Sequence, residues 1–401
     1  MAPVIHNRLR RGGRTMLAAA GATVVLGLAG CSIDLSNLRP GDDEEPSTEP
    51  VEPVAAAPLV EQALADLAEY QGLVATGQIA ASVGADVRDA VLTVADSGAT
   101  SGTIRTGSIE ADLISADGRT FIRALEDFWL DQEVFAPDFD EFGGNWVRAS
   151  GEQAGIDPGA VLAPPVLAEI LGGIDLKSDE TVQENLDGTL THRVDLAGER
   201  NRIWIDAENG QIKRIAIEEL VAPDAESGPQ VRLDLAEADT AAVEELYDGI
   251  ISTATDELDS SRDARIEIGW VEQAQMTCED GPDCTWSGTV HDASGTGSGT
   301  VAVRMDVTFS NPDIGDQTCS DNGSLEAGGT LDLSCNADYN IVSESQTTYT
   351  INGEAVLSTQ GLPGDQKESM LEALEEQREA TLSGTSAPTG EEEDGTAEEG
   401  N

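Results

Sequence analysis

"SGTIRTGSIEADLISADGRTFIRALEDFWL", residues 101–130, sets two strand-like runs on either side of Asp117-Gly118. An Asp-Gly pair supplies the positive φ angles that a tight hairpin requires, so "IEADLI" and "TFIRAL" are expected to pair antiparallel. Two further turns repeat the device. Asp187-Gly188 separates "TVQENL" from "TLTHRVDL", and Asn209-Gly210 separates "RIWID" from "IKRIAIEEL". Helical spacing surrounds these strands. Val60, Leu64 and Leu67 recur at i, i+4 and i+7 behind Pro58, and "PPVLAEILGGI" predicts a helix from Pro164-Pro165 to Gly172-Gly173. Val243, Leu246, Tyr247 and Ile250 predict another that starts near Thr240. Residues 58–252 therefore read as an α+β domain. Most of its large aromatics gather in one stretch, with Phe128, Trp129, Phe135, Phe139, Phe142 and Trp146.

Residues 262–360 carry a different pattern. "TVAVRMDVTF" alternates Val301, Val303, Met305, Val307 and Phe309 with polar residues, the period of a strand with one wet face. Short strands separated by "DASGTGSG" and "EAGG" suggest a small all-β sandwich. Cys278, Cys284, Cys319 and Cys335 all fall here, and an even number in an exported β-domain favours two disulfides. Four cysteines allow three pairings. Cys278–Cys284 with Cys319–Cys335 is favoured, because each pair brackets a local turn. Residues 361–383 read as a helix, with Asp365 and Glu368 at capping-box spacing, and 384–401 as a disordered acidic tail.

The N-terminal 30 residues hold no Asp or Glu but carry Arg8, Arg10, Arg11 and Arg14 ahead of an apolar run from Met16 to Leu28. That is the layout of a secretory signal peptide. Leu28-Ala29-Gly30-Cys31 resembles the bacterial lipobox, so residues 1–30 are expected to be removed and Cys31 to be lipidated. Residues 31–57, rich in Pro and acid, read as an extended tether. No later stretch approaches ~20 consecutive apolar residues, so no membrane-spanning helix is expected. The expected location is the extracytoplasmic face of the cell membrane, held by lipid.

The chain has 22 basic and 76 acidic residues, a formal charge of −54. A surface of that sign repels nucleic acid and anionic headgroups. Only three of the basic residues are lysines: Lys177, Lys213 and Lys367. Adaptation to high salt and a high-GC coding bias with acidic linkers explain this composition equally well. Catalytic signatures are missing from the sequence, which has no GxSxG elbow, HExxH pair or phosphate-cradling glycine loop. His192 alternates with Leu190, Val194 and Leu196 and reads as an inward residue. The cysteine spacings are not those of a zinc site, and "DIGDQTCSDNG" breaks the calcium-loop pattern. No enzyme, cofactor or metal is expected.

A resemblance adds to this reading. The order of lipobox, acidic tether and helix, then residues 101–130, "NWVRAS" and "RIWIDAENGQIKRI", resembles the actinobacterial LppX/LprAFG lipoproteins, which are similar in fold to the LolA and LolB carriers. The resemblance covers residues 58–250. It implies a curved antiparallel sheet whose covering helices enclose an apolar cavity, and a lipid or glycolipid ligand. On that reading Leu113, Phe121, Phe128, Trp129, Trp146 and Trp204 are the candidate ligand-binding residues, with the aromatic segment as a lid. Ordinary core packing explains the same aromatics. The alternative is a cell-envelope interaction protein whose sandwich binds a protein or glycan partner.

Overall fold

The computed structural model describes residues 54–135, 141–223, 225–278, 283–339 and 347–384. The signal segment, Cys31, the tether up to residue 53, Phe139, the side chain of Asp365 and the tail beyond Gly384 lie outside the described residues. The architecture is mixed α+β around one large open sheet. α1 (Ala56–Ala68) leads into consecutive antiparallel strands β1 (Gly72–Ala80), β2 (Arg88–Ala95), β3 (Thr100–Thr106), β4 (Ile109–Ala116) and β5 (Arg119–Ala124). After α2 (Glu126–Asp131), β6 (Trp146–Ala149) pairs with β5. The short helices α3 (Gly151–Ala154), α4 (Pro158–Leu162) and α5 (Pro164–Gly172) follow. A second meander runs through β7 (Val182–Leu186), β8 (Thr189–Asp195), β9 (Arg202–Asp206), β10 (Ile212–Ile217) and β11 (Gln230–Glu237). β11 pairs with β1, from Leu73 opposite Glu237 to Ala80 opposite Gln230, and this joins the meanders. α6 (Thr240–Asp256) comes next, and β12 (Arg262–Asp263), parallel to β6, completes a twelve-stranded sheet.

The Asp-Gly turns are two-residue hairpins. Asp117 and Gly118 have φ of 49° and 66°, and Asp187 and Gly188 have 53° and 96°, the left-handed pair that matches strand twist. Asn209-Gly210 differs from expectation. Only Gly210 of that pair has positive φ (78°), because the loop is four residues long, closed by Asp206 N–H donating to the Gln211 carbonyl at 2.8 Å. The register then shifts between Ile212 and Arg214. Strict alternation would put Ile212, Arg214 and Ala216 on one face. The bulge instead turns Ile212, Ile215 and Ile217 all inward and leaves Arg214 and Ala216 on the opposite face.

The inner face packs Leu73, Leu92, Ile104, Leu113, Ile122, Ile203, Ile215 and Leu233 against α1, α2 and α3 to α5 in one apolar cluster. The outer face is covered over only part of its width. α6 and α7 (Gly364–Ser383) lie over Val74, Ile114, Phe121 and Trp146. The expected boundary between residues 252 and 262 falls within continuous structure, since α6 runs to Asp256 and β12 belongs to the large sheet.

Between β12 and α7 come β13 (Ile268–Trp270), β14 (Gln275–Cys278), β15 (Asp283–Asp292), β16 (Thr300–Ser310), β17 (Gln317–Glu326), β18 (Thr330–Asp338) and β19 (Asn352–Gln360). β13, β14 and β18 pair with β15, and β17 and β19 pair with β16. Both sheets share one buried cluster, in which Val301, Val303, Met305, Val307 and Phe309 point inward as their alternation predicts. Cys278–Cys284 closes the β14–β15 hairpin, and Cys319–Cys335 ties β17 to β18 across the two sheets.

α7 is held by a chain of donors as well as by Met370 and Leu374. Ser97 and Tyr247 hydroxyls lie 2.7 Å apart, Tyr247 reaches Thr381 Oγ1 at 3.0 Å, and Thr381 donates to Asp96. Burial raises the Asp96 carboxyl above its ordinary value despite these donors. A carboxyl raised in the folded state favours folding while protonated and penalises it once pH climbs past the folded value. Asp96→Asn is accordingly expected to melt above wild type at pH 7.5, with the gap closing as pH falls toward 4 in thermal melts.

A backbone contact at the sheet centre gives a second expectation. A Cβ on Gly77 would sit 2.2 Å from the Arg232 carbonyl oxygen, whereas one on Gly249 of α6 would meet nothing within 4 Å. In denaturant titrations Gly77→Ala should lose roughly 1–3 kcal/mol. Gly249→Ala should gain about 0.5–1 kcal/mol.

Candidate binding sites

The six residues expected to line a cavity do not come together. Leu113 pairs with Ile122 and Ile114 with Phe121, so Leu113 faces the inner cluster and Phe121 the outer one. Both are fully buried. The two-residue loop at Asp117-Gly118 already dictates this register, so the separation is readable from the hairpin once its loop length is known. Phe128 and Trp129 stack edge to face at 5.2 Å in the inner core, with Phe142 behind Trp129 at 5.6 Å. These three aromatics are packing, not a lid. Trp146 lies in the outer cluster under Arg123, its indole donating to Glu257 at 3.0 Å. Trp204 stands apart on β9, where its indole donates to Glu184.

One apolar cleft does open on the surface over the inner cluster. It lies between α1 and α5, measures about 480 Å³, and is lined by Val60, Leu64, Leu171, Ile174 and Leu176 with Ala57, Ala65, Ala168 and Gly172. The small residues create the space: a Cβ on Gly172 would already meet Leu64 Cδ1 at 3.5 Å. Glu61 is the one charged residue on its wall. α1 is fixed at its start by Ala56 N–H donating to the Asp179 carbonyl and by Thr181 N–H donating to the Val54 carbonyl, at 2.8 and 2.9 Å. Helical periodicity marks Val60 and Leu64 as buried, and nothing in the sequence says that α5 would lie beside them.

A second groove, of about 350 Å³, runs across the uncovered outer face of β1, β11, β10 and β9. Gln78, Arg232, Ala216 and Arg202 are cross-strand neighbours in one line, flanked by Arg200, Glu218 and Trp204. The adjoining line holds Asp234, Arg214, Trp204 and Arg193. There the cations are neutralised. Arg214 pairs with Asp234 and Asp187, which raises its guanidinium above the ordinary value, and Arg193 pairs with Glu184 and Asp195.

Elsewhere, His192 hydrogen-bonds Thr181 through Nδ1 at 3.2 Å and His291 lies 3.0 Å from the Gly269 carbonyl. Burial, with Arg265 alongside, pushes the Arg148 guanidinium down to about 10. Among the described residues no three His, Cys, Asp or Glu side chains are grouped to hold a metal ion, and no helix is long and apolar enough to cross a membrane.

No protein-family model matches the chain, and no curated protein does. Solved structures give slight likenesses. LprF from Mycobacterium bovis aligns at a TM-score of 0.29 and 11% identity, over 46% of this chain and 96% of its own. MucB in complex with MucA(peri) aligns at 0.23 and 13%, over 79% and 97%. The MucA/MucB complex of Pseudomonas aeruginosa aligns at 0.22 and 11%, over 79% and 96%.

Proposed function

We propose that this chain is a lipid-anchored, extracytoplasmic and non-catalytic binding protein whose acylated ligand lodges between α1 and α5. The α1–α5 cleft is the observation that carries the reading, since it is an open surface cleft lined almost wholly by apolar side chains, several of which belong to the inner cluster. Burial of about 200 Å² of acyl chain at ~25 cal/mol per Å² contributes on the order of 5 kcal/mol before the cost of association. Binding needs no reacting group, because Val60, Leu64 and Leu171 act only by excluding water. In this reading Cys31 bears the lipid anchor, and the disulfide-bonded β region is a small sandwich carried beside the ligand-binding part.

Two measurements test the parts separately. Cys31→Ser should move the chain from the membrane fraction to the soluble fraction, and persistence in membranes contradicts the anchor. Ala65 lines the cleft from an exposed position, so Ala65→Trp should fill it at a stability change within about 0.5 kcal/mol. Native mass spectrometry of detergent-free protein exposed to total lipid extract should show a bound lipid in the parent chain and none in Ala65→Trp. A clean apo mass in both sinks the carrier reading.

A further inference from the structure

We propose that the outer groove is a second site, independent of the α1–α5 cleft, that binds a small ligand through a phosphate group held between Arg202 and Arg232. Acidic residues outnumber basic ones 76 to 22, so a cation left without a carboxylate is unexpected. Around the groove the carboxylates are already committed. Asp89 pairs with Arg105, and Asp234 and Asp187 pair with Arg214. Asp195 is shared between Arg193 at 3.3 Å and Arg202 at 3.1 Å. Arg200 reaches Glu218 only at 3.9 Å, and Arg232 makes no ion pair among the described residues. The wall of the groove itself holds three arginines, Arg200, Arg202 and Arg232, and a single carboxylate, Glu218, so the excess of positive charge is confined to the groove lining.

Shape supports the same conclusion. The bulge after Ile212 places Ala216, with its single methyl, between Arg202 and Arg232 on one cross-strand line. The methyl leaves space above it, and Arg202 and Arg232 are both among the residues that line the groove there. A carboxylate has two oxygens and is satisfied by one fork, whereas a phosphate ester has three terminal oxygens and up to two charges. Two forks with the Gln78 amide beside them match the phosphate better. The remote acidic surface disfavours a long polyanion. A ligand in contact with these arginines feels them within a screening length of ~8 Å at physiological salt.

The test uses the full chain with Cys31→Ser, titrated calorimetrically with glycerol 1-phosphate and, as the uncharged control, glycerol. Saturable binding of the phosphate alone is expected. Arg202→Gln and Arg232→Gln should each weaken it about tenfold, the loss of one charge-assisted contact. Ala216→Phe should abolish it with all charges kept, and Glu218→Gln should tighten it. Arg304→Gln, whose partner Asp306 lies on β16, should leave it unchanged. Ala65→Trp should also leave it unchanged, which separates this site from the acyl cleft. Flotation with phosphatidylcholine vesicles containing phosphatidic acid tells the source. Binding lost in the arginine variants points to a lipid headgroup, and its absence beside tight glycerol 1-phosphate binding points to a free ester. No saturable binding of either probe, or equal weakening by Arg304→Gln, overturns the proposal.

Discussion

The ladder between β1 and β11 is the joint on which this architecture rests. Without it the two meanders are separate antiparallel sheets, each with a bare edge and half a core. With it, Leu73, Ala75 and Ile79 stand beside Leu235, Leu233 and Val231 on a single inner face that α1 to α5 can cover. The pairing closes a loop of more than a hundred residues, which costs conformational entropy that grows only slowly with length. Each buried pair along it therefore repays the closure with apolar contact on one face. Gly77 marks how closely the two backbones approach, since its missing side chain leaves room for the Arg232 carbonyl.

From that joint follows the asymmetry of the two faces. The inner face is closed along the sheet by helices, and its aromatics fill space instead of enclosing it. The outer face is divided: α6 and α7 seal the part around Phe121 and Trp146, while the part formed by β7 to β11 stays wet and charged. A wet face explains why each of β8 to β11 carries an arginine on that side. Long guanidinium side chains keep their charge in solvent and lay their stems over the strands. Neutralisation by Asp234, Glu184 and Asp195 is nearly complete in one line and incomplete in the next.

Local features were legible in the sequence. Asp117-Gly118 and Asp187-Gly188 mark hairpins because positive φ at both positions is a property of the dipeptide, and Val301 to Phe309 declares its buried face by alternation alone. The favoured cysteine pairs are the ones formed. Non-local features were not legible. Nothing in residues 72–80 names 230–237 as their partner, so the line from Gln78 to Arg202 cannot be assembled from the chain. The Asn209-Gly210 loop hides a further step, because its bulge reverses which side chains of "IKRIAI" face the core. The aromatic residues are ambiguous for a different reason: large rings suit a ligand wall as well as a core, and it is the register of β4 against β5, set by the local Asp117-Gly118 turn, that separates Leu113 from Phe121.

The alternation of a strand also keeps the two proposed sites from sharing chemistry. On β11, Val231 and Leu233 belong to the inner cluster while Arg232 between them lies on the other face, although Val231, like Ile79 and Ile217, also borders the groove. A polar ligand on the outer face gains no access to the acyl cleft, and an acyl chain between α1 and α5 meets no arginine. Coupling between the sites would have to pass through strand displacement, which close packing in the inner cluster resists. A single amphiphile with its headgroup in one site and its tail in the other would have to wrap the sheet edge. Two ligands, or one ligand at one site, is the arrangement this sheet permits.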